Sequence, residues 1–175
     1  MVKFTEEWFA VASQRALVRL ARQVAHLDGR VVEVGCWEGR STVVLANAVW
    51  PSVVDAVDTW QGSPGEISAE LAAERDVLGT FRANVAELTR GNVAVHVMGW
   101  REYSADPSPV RFLHIDAEHT YREVSDTIEQ FRPLMVPGGI ICGDDRHHPP
   151  VISAARDQLG DVQAEATLWW WRSDE

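Results

Sequence analysis

Acidic side chains stand at or near the ends of several apolar segments in this sequence, and carboxylates in such places can bind hydroxyl groups or metal ions. The residues concerned are Glu33, Asp58, Asp116, Asp144 and Asp145. Short apolar runs bounded by turn residues are typical of buried strands. Ligands of open parallel sheets bind beyond the carboxyl ends of the strands. We therefore expect these side chains to gather along one rim.

Three of these carboxylates, Asp116, Asp144 and Asp145, would meet at the ends of neighbouring strands. Two carboxylates about 4 Å apart at an effective dielectric of about 20 repel by roughly 4 kcal/mol, so three of them require protons or a cation. Oxygen ligands favour Mg²⁺ or another divalent cation such as Mn²⁺ or Ca²⁺. The alternative is that Asp144 and Asp145 only cap the following helix or pair with Arg146.

His119, three residues after Asp116, is a candidate general base because its neutral form is accessible near pH 7. It could equally be a helix-start residue bonded to a backbone carbonyl. His147 and His148 are interpreted as part of an exposed loop rather than as further ligands.

The segment from Val31 to Thr42 predicts a strand, a tight turn with Gly35 and Gly39, and a helix. Glycines let a ligand approach the backbone, and a helix start offers free amides to an anion. Trp37 replaces the middle glycine of a dinucleotide fingerprint, and no Lys-Ser/Thr pair follows to make a P-loop. With Asp58 available for ribose hydroxyls, a ribose ligand without a diphosphate is indicated, which points to an adenosyl sulfonium.

Helical and strand patterns alternate along the chain and predict a doubly wound α/β fold, with a mostly parallel sheet covered by helices on both faces. The predicted helices are a first one from Thr5 to about Leu27, then 41–49, 68–88, 121–131 and 152–159; the predicted strands are 30–34, 53–58, 93–98, 110–116, 140–143, 162–166 and 168–172. Residues 61–70 between them are rich in turn formers and are expected to form a mobile cover.

Length and composition favour one domain. With 175 residues and 46% hydrophobic content, the chain can bury a substantial core. We expect an N-terminal helix within 1–29 and a Rossmann-like core over 30–175. Cys36 and Cys142 are expected to be buried free thiols, which suits the cytoplasm. A net charge of −10 argues against nucleic acid as a partner, and no apolar run reaches the roughly 20 residues of a membrane span.

Four motifs together carry a resemblance to a known family: residues 32–41, 57–63, 115–121 and 137–145. In this order and spacing the chain resembles the class I S-adenosylmethionine-dependent methyltransferases. It is most similar to the metal-dependent small-molecule O-methyltransferases of the macrolide-sugar and catechol types. The resemblance implies a seven-stranded sheet of order 3-2-1-4-5-7-6 with an antiparallel strand near the C-terminus.

The resemblance also implies roles for individual residues. Glu33, Gly35 and Trp37 would flank the methionine end of the cofactor, with Ser41 near its carboxylate. Asp58 would bind the ribose, with Trp60 close by, and Trp100 and Arg101 would lie beside the adenine. Gly39, Thr59 and Asp116 complete the cofactor set. Asp116, Asp144 and Asp145 would hold the metal, and Asp116 and His119 would be the catalytic residues.

We therefore expect methyl transfer from S-adenosylmethionine to a hydroxyl of a small natural product or sugar, assisted by Mg²⁺ or another divalent cation. Because the chain is short for such enzymes, a homo-oligomer is one way to complete the acceptor pocket. Three alternatives stay open: a metal-independent N-methyltransferase, a non-catalytic methyltransferase-like protein that binds the cofactor, and an NAD-dependent oxidoreductase.

Overall fold

The computed structural model of the chain describes residues 4–104 and 106–174. Its strands are β1 (Arg30–Val34), β2 (Val54–Asp58), β3 (Val93–Val97), β4 (Val110–Ile115), β5 (Met135–Gly143), β6 (Gln163–Glu165) and β7 (Leu168–Arg172). Its helices are α1 (Val11–Gln23), α2 (Arg40–Val49), α3 (Ile67–Glu74), α4 (Val77–Leu88), α5 (Trp100–Tyr103), α6 (Tyr121–Phe131) and α7 (Pro149–Leu159). A short 3-10 helix, Arg132–Leu134, follows α6.

The strands form one sheet in the order β3-β2-β1-β4-β5-β7-β6, which confirms the predicted fold class and strand order. The pairs among β1 to β5 are parallel, whereas β7 runs antiparallel to both β5 and β6. The chain therefore leaves β1 in one direction toward β2 and later returns to the other side of β1 with β4. This switch point beside β1 is where a doubly wound sheet opens a crevice.

Apolar side chains of the central strands alternate between two cores, one on each face of the sheet. Val31 and Phe112 pack with Leu17 and Leu45 of α1 and α2. The neighbouring strand residues Val32 and Leu113 face the opposite core, which contains the α6 and α7 side chains Ile128, Phe131, Ala154 and Leu159. Burial of both faces explains why these strands read as continuous apolar runs in the sequence.

The prediction of an N-terminal helix starting at Thr5 is wrong, because α1 begins only at Val11. The Thr5 amide and hydroxyl bond to the two carboxylate oxygens of Glu38, at 2.7 and 2.6 Å, instead of capping a helix. We call residues 4–10 the N-terminal strap. Residues 1–3 of the expected first segment lie outside the described part of the chain.

The helix predicted over 68–88 is in fact two helices, α3 and α4. The break falls at Arg75 and Asp76, because the Asp76 carboxylate accepts the Gly79 amide at 2.8 Å and so starts a new helix. The fifth strand is longer than predicted and begins at Met135 instead of Ile140.

Both cysteines, Cys36 and Cys142, are buried and free, as predicted. Within the described residues, no helix combines the length and apolar character that crossing a membrane requires.

Candidate active site

A cavity of about 740 Å³ opens at the carboxyl ends of the central strands. Its floor comes from the turns that follow β1, β2, β4 and β5, and its cover comes from the N-terminal strap and from residues 61–68. A cavity of this size accommodates a ligand of cofactor dimensions. The acidic residues expected along one rim do lie around it, except Glu33.

The turn after β1 is shaped by its two glycines. Gly35 has a φ of 83°, and a Cβ there would lie 2.1 Å from the carbonyl oxygen of Asp116, so a larger residue would push β1 and β4 apart at the cavity floor. Gly39 precedes α2 with a φ of 88° and faces the ring of Phe81. Gly35 borders the cavity, whereas Gly39 serves packing behind it.

Asp58 at the end of β2 organises this turn. Its Oδ2 accepts the backbone amides of Cys36 at 2.7 Å and Trp37 at 3.0 Å. Its Oδ1 accepts the backbone amide of Trp60 at 2.7 Å. A carboxylate offers about four lone-pair sites, so roughly one site on Oδ1 stays available to a ligand hydroxyl. The carboxylate thus both fixes the turn and faces the cavity.

Trp60 supports the same turn from behind. Its indole donates to the Trp37 carbonyl at 2.8 Å, and its ring packs against Phe81 with centroids 4.8 Å apart. It does not line the cavity. Trp37, Trp60 and Asp145 have φ values of 47°, 56° and 57°. Positive φ is strained at a bulky residue such as tryptophan, whereas aspartate tolerates it, and strain of this kind is typical of functional sites.

Glu33 is fully buried between the sheet and α2 and does not border the cavity. Its carboxylate accepts a hydrogen bond from the Thr42 hydroxyl and lies 2.9 Å from His114 Nδ1. Burial lowers the pKa of His114, but the hydrogen bond and charge of Glu33 outweigh this effect and leave the pKa raised. The position therefore gives Glu33 a structural role in tying β1 to β4 and α2.

The carboxylates after β4 and β5 come together as the sequence predicts. Burial, and next the charge of Asp144, raise the pKa of Asp116 to about 8. Asp144 is buried, and its Oδ1 has no hydrogen-bond partner among the described residues. Asp116, His119 and Asp145 offer ligand atoms that all lie within 4.8 Å of one another. This set offers two carboxylates and one imidazole beside the unpartnered Asp144 Oδ1 and fits a divalent cation, although it includes His119 where the sequence suggested Asp144.

His119 is held between two carboxylates. Its Nε2 lies 2.8 Å from Asp145 Oδ2, and its Nδ1 lies 3.0 Å from both oxygens of Glu66. The pairing with Asp145 raises the pKa of His119 to about 9, against the opposing effect of burial. Such a histidine is protonated at neutral pH, so it can accept a proton only when the surrounding negative charge is compensated.

Trp100 and Arg101 of α5 border the opposite end of the cavity. The Trp100 indole donates to Glu123 at 3.2 Å, and the Arg101 guanidinium lies 4.1 Å from the Trp100 ring. Arg101 also forms ion pairs with Glu123 and Asp126 at 2.7 and 2.9 Å. The positive charge of Arg101 is therefore neutralised by carboxylates of the protein itself. Its planar guanidinium packs against the indole of Trp100.

The N-terminal strap is fastened to the turn after β1. The Glu6 carboxylate accepts the Trp37 indole at 3.1 Å and pairs with Arg75 at 2.5 Å. Trp8 lies against Trp37 with ring centroids 5.4 Å apart. The strap therefore closes the cavity on the side of Trp37.

Most of the predicted site residues border the cavity: Gly35, Trp37, Ser41, Asp58, Thr59, Trp100, Arg101, Asp116, His119, Asp144 and Asp145. Three do not, namely Glu33, Gly39 and Trp60, whose side chains or backbone support the turns from behind. Sequence reasoning missed Glu6 and Glu66, which hold Trp37 and His119. Glu66 lies within the expected cover, but nothing in its spacing indicates a histidine partner.

A known protein family matches the larger part of this chain. The family model described as "Methyltransferase domain" matches residues 32–146, more than half of the chain, from β1 to the turn after β5. No curated protein matches the chain in sequence.

Solved structures with the same fold include several methyltransferases. The O-methyltransferase NovP is 22% identical, with a TM-score of 0.69 over 93% of this chain and 81% of that chain. The calicheamicin methyltransferase CalS11 is 16% identical, with a TM-score of 0.71 over 94% and 80%. The O-methyltransferase TomG from Streptomyces achromogenes, solved with S-adenosylmethionine, is 16% identical, with a TM-score of 0.66 over 95% and 82%. At these identities the likeness establishes the fold.

Proposed function

The chain belongs to the methyltransferase-domain family and is an S-adenosylmethionine-dependent methyltransferase, and from this premise we propose that it methylates a hydroxyl of a small molecule with the help of a divalent cation. The observation that carries the proposal is the shared cavity. Asp58, on one side of it, and the Asp116–His119–Asp145 cluster, on the other, face the same space. A ribose-binding carboxylate and a cation site on one cavity are what a metal-assisted transfer to oxygen requires.

The proposed cofactor end lies over the turn after β1. S-adenosylmethionine supplies a methyl group that is already activated by its sulfonium. Asp58 accepts a ribose hydroxyl through the lone-pair site left on Oδ1. Gly35 keeps the floor low enough for close approach, and Ser41 lies at the start of α2, where free amides favour the cofactor carboxylate. Trp100, with Arg101 packed on it, offers a flat surface for the adenine.

The proposed acceptor end lies at the carboxylate cluster. Asp116, His119 and Asp145 would hold the cation, with Asp144 adding negative charge beside them. The cation would lower the pKa of an acceptor hydroxyl and compensate the carboxylates, and the hydroxyl proton would pass to a carboxylate oxygen of Asp116 as the methyl group is transferred. Glu66 holds Nδ1 of His119, which leaves Nε2 as the ring nitrogen directed to the cluster.

In this arrangement the chain mainly orients the two reactants and excludes water. The strap and residues 61–68 cover the cavity, and Glu6 and Glu66 each fasten one part of that cover to the site. Alignment of donor and acceptor, rather than activation of the methyl group, is the main contribution expected of the protein. We further propose that the acceptor is a natural product or a sugar and that the protein acts in the cytoplasm.

A matched acceptor pair tests the proposal. The protein is incubated with S-adenosylmethionine, Mg²⁺ and a panel of catechols and sugars, each compared with its amino analogue, and S-adenosylhomocysteine is quantified. We expect product with a hydroxyl acceptor and none after chelation by EDTA. Methylation of the amino analogue alone, or turnover that persists in EDTA, would contradict metal-assisted transfer to oxygen.

A further inference from the structure

The Asp145 carboxylate faces a single histidine, His119, with one oxygen and a second group, the pair His147 and His148, with the other. Its Oδ2 lies 2.8 Å from His119 Nε2. Its other oxygen, Oδ1, lies 3.5 Å from His147 Nε2 and 3.9 Å from His148 Nε2. The second group has no part in the proposed methyl transfer.

The two histidines precede α7 and border the outer part of the cavity. Their side chains are 61% and 49% exposed, so both rings can rotate without disturbing the core. The rings lie 5.0 Å apart at an interplanar angle of 74°. The ligand atoms of Asp145, His147 and His148 all lie within 4.8 Å of one another.

Two of the three spacings between the ligand atoms are close to those of a tetrahedral metal site. Bonds of about 2.0–2.1 Å to a tetrahedral ion place neighbouring ligand atoms roughly 3.3 Å apart. The two contacts to Oδ1, at 3.5 and 3.9 Å, exceed this value by only a few tenths of an ångström. Small rotations of the exposed imidazoles would bring all three ligand atoms around one ion.

The donor types select the metal. Two imidazoles and one carboxylate suit Zn²⁺ and similar transition ions, whereas Mg²⁺ prefers oxygen ligands and its own water. We propose that Asp145, His147 and His148 form a second divalent-metal site, selective for Zn²⁺-like ions and distinct from the cluster of Asp116, His119 and Asp145. Three protein ligands leave a fourth position open at the mouth of the cavity. Because the two sites share Asp145, filling one weakens the other through charge repulsion and competition for the carboxylate.

Zinc titration of the full chain, produced without a histidine tag, tests the site. Affinity and stoichiometry are measured by competition with a chromophoric chelator, in the absence of S-adenosylmethionine, so the result does not depend on methyl transfer. We expect one Zn²⁺ per chain and at least about a tenfold loss of affinity in the His147→Gln/His148→Gln double variant. The control is His26→Gln. This exposed histidine precedes β1 and lies near the amino ends of the strands, whereas the cavity lies at their carboxyl ends, so the variant should bind Zn²⁺ like the wild type.

A second variant separates the two metal clusters. Asp116→Asn should retain Zn²⁺ binding, because Asp116 has no place in the second site. Three outcomes would each overturn the proposal. They are failure of the wild-type protein to bind Zn²⁺ in the titration, an unchanged Zn²⁺ affinity in the double variant, and equal losses of affinity in the double variant and in His26→Gln. Loss of Zn²⁺ in a folded Asp116→Asn would overturn it too, since the ion would then belong to the inner cluster. Thermal melting verifies that each variant is folded.

Discussion

Asp58 accepts the backbone amide of Trp37 at 3.0 Å and thereby ties the end of β2 to the turn after β1. The amide of Cys36 binds the same oxygen at 2.7 Å. Because these bonds form within the protein, the turn is organised before any ligand arrives. Preorganisation of this kind reduces the ordering cost that a ligand must offset on binding.

Replacement of Asp58 should therefore weaken cofactor binding in two ways, by loosening the turn and by removing a hydroxyl acceptor. For Asp58→Asn we expect the affinity for S-adenosylhomocysteine to fall by at least about tenfold, which corresponds to about 1.4 kcal/mol. Calorimetric titration measures the loss. Asp161→Asn, an exposed aspartate that does not border the cavity, is the matched control. Equal affinities in the two variants would remove Asp58 from the cofactor site.

Glu33 should behave as a structural residue. The variant Glu33→Gln loses charge-assisted hydrogen bonds to Thr42 and His114, so we expect the free energy of unfolding to fall by about 2 kcal/mol. Urea denaturation measures the change, with the exposed Glu129→Gln as control. The folded Glu33→Gln variant should retain the affinity of the wild type for S-adenosylhomocysteine. Normal stability with weakened cofactor binding would instead support the direct contact that the family resemblance implies.

The order of the strands followed from the family resemblance, whereas the central strands β1 and β4 were predictable because their side chains are buried on both faces of the sheet, which makes each of them a continuous apolar run with clear ends. The N-terminal region was not. Thr5 followed by two glutamates is a good local signal for a helix start. The Thr5 hydroxyl nevertheless donates its hydrogen bond to Glu38, which lies far away in the sequence. Local preference yielded to a tertiary contact that no spacing in the sequence reveals.

Removal of the cation, or of a ligand for it, should stop turnover while the cofactor still binds. For Asp145→Asn, and for wild type in EDTA, we expect activity to fall by at least about a hundredfold. Binding of Mn²⁺, followed by electron paramagnetic resonance, should weaken in parallel. S-adenosylhomocysteine affinity should stay nearly unchanged, since Asp58 lies at the other end of the cavity. Full activity of Asp145→Asn in EDTA would eliminate the metal from the account.

The strap should stabilise the protein in a pH-dependent manner through Glu6. Burial raises the pKa of Glu6, but bonds from Arg75, Thr5 and Trp37 outweigh it and leave the pKa below its ordinary value of 4.5. A lowered folded-state pKa means that the stabilisation is present above pH 4.5 and is lost as the pH falls through the folded pKa.

The melting temperature of Glu6→Gln should accordingly lie below that of the wild type above pH 4.5, and the gap should shrink on acidification. The neighbouring exposed residue provides the control Glu7→Gln, which should show no such gap. A gap that widens toward acid would have the wrong sign for a carboxylate held in its charged form.

The site was predictable to the extent that its residues stand at strand ends. Asp58, Asp116 and Asp145 follow this rule and border the cavity. Glu66 could not be predicted by this rule, because it lies in the cover and contacts His119, which is 53 positions away in the sequence. Glu33 shows the opposite error, since its side chain points from one face of the sheet toward Thr42 of α2 and His114, and not to the rim. A strand-end position fixes where a residue lies, but not the direction of its side chain.

The central claim is that the cavity over Gly35 and Asp58 holds S-adenosylmethionine, and calorimetric titration of the full chain with S-adenosylmethionine and S-adenosylhomocysteine tests it most directly. We predict one ligand per chain for both compounds, with dissociation constants of about 1 μM to 1 mM, and no binding of NADH. A protein that melts cooperatively and yet binds neither adenosyl compound would contradict the account.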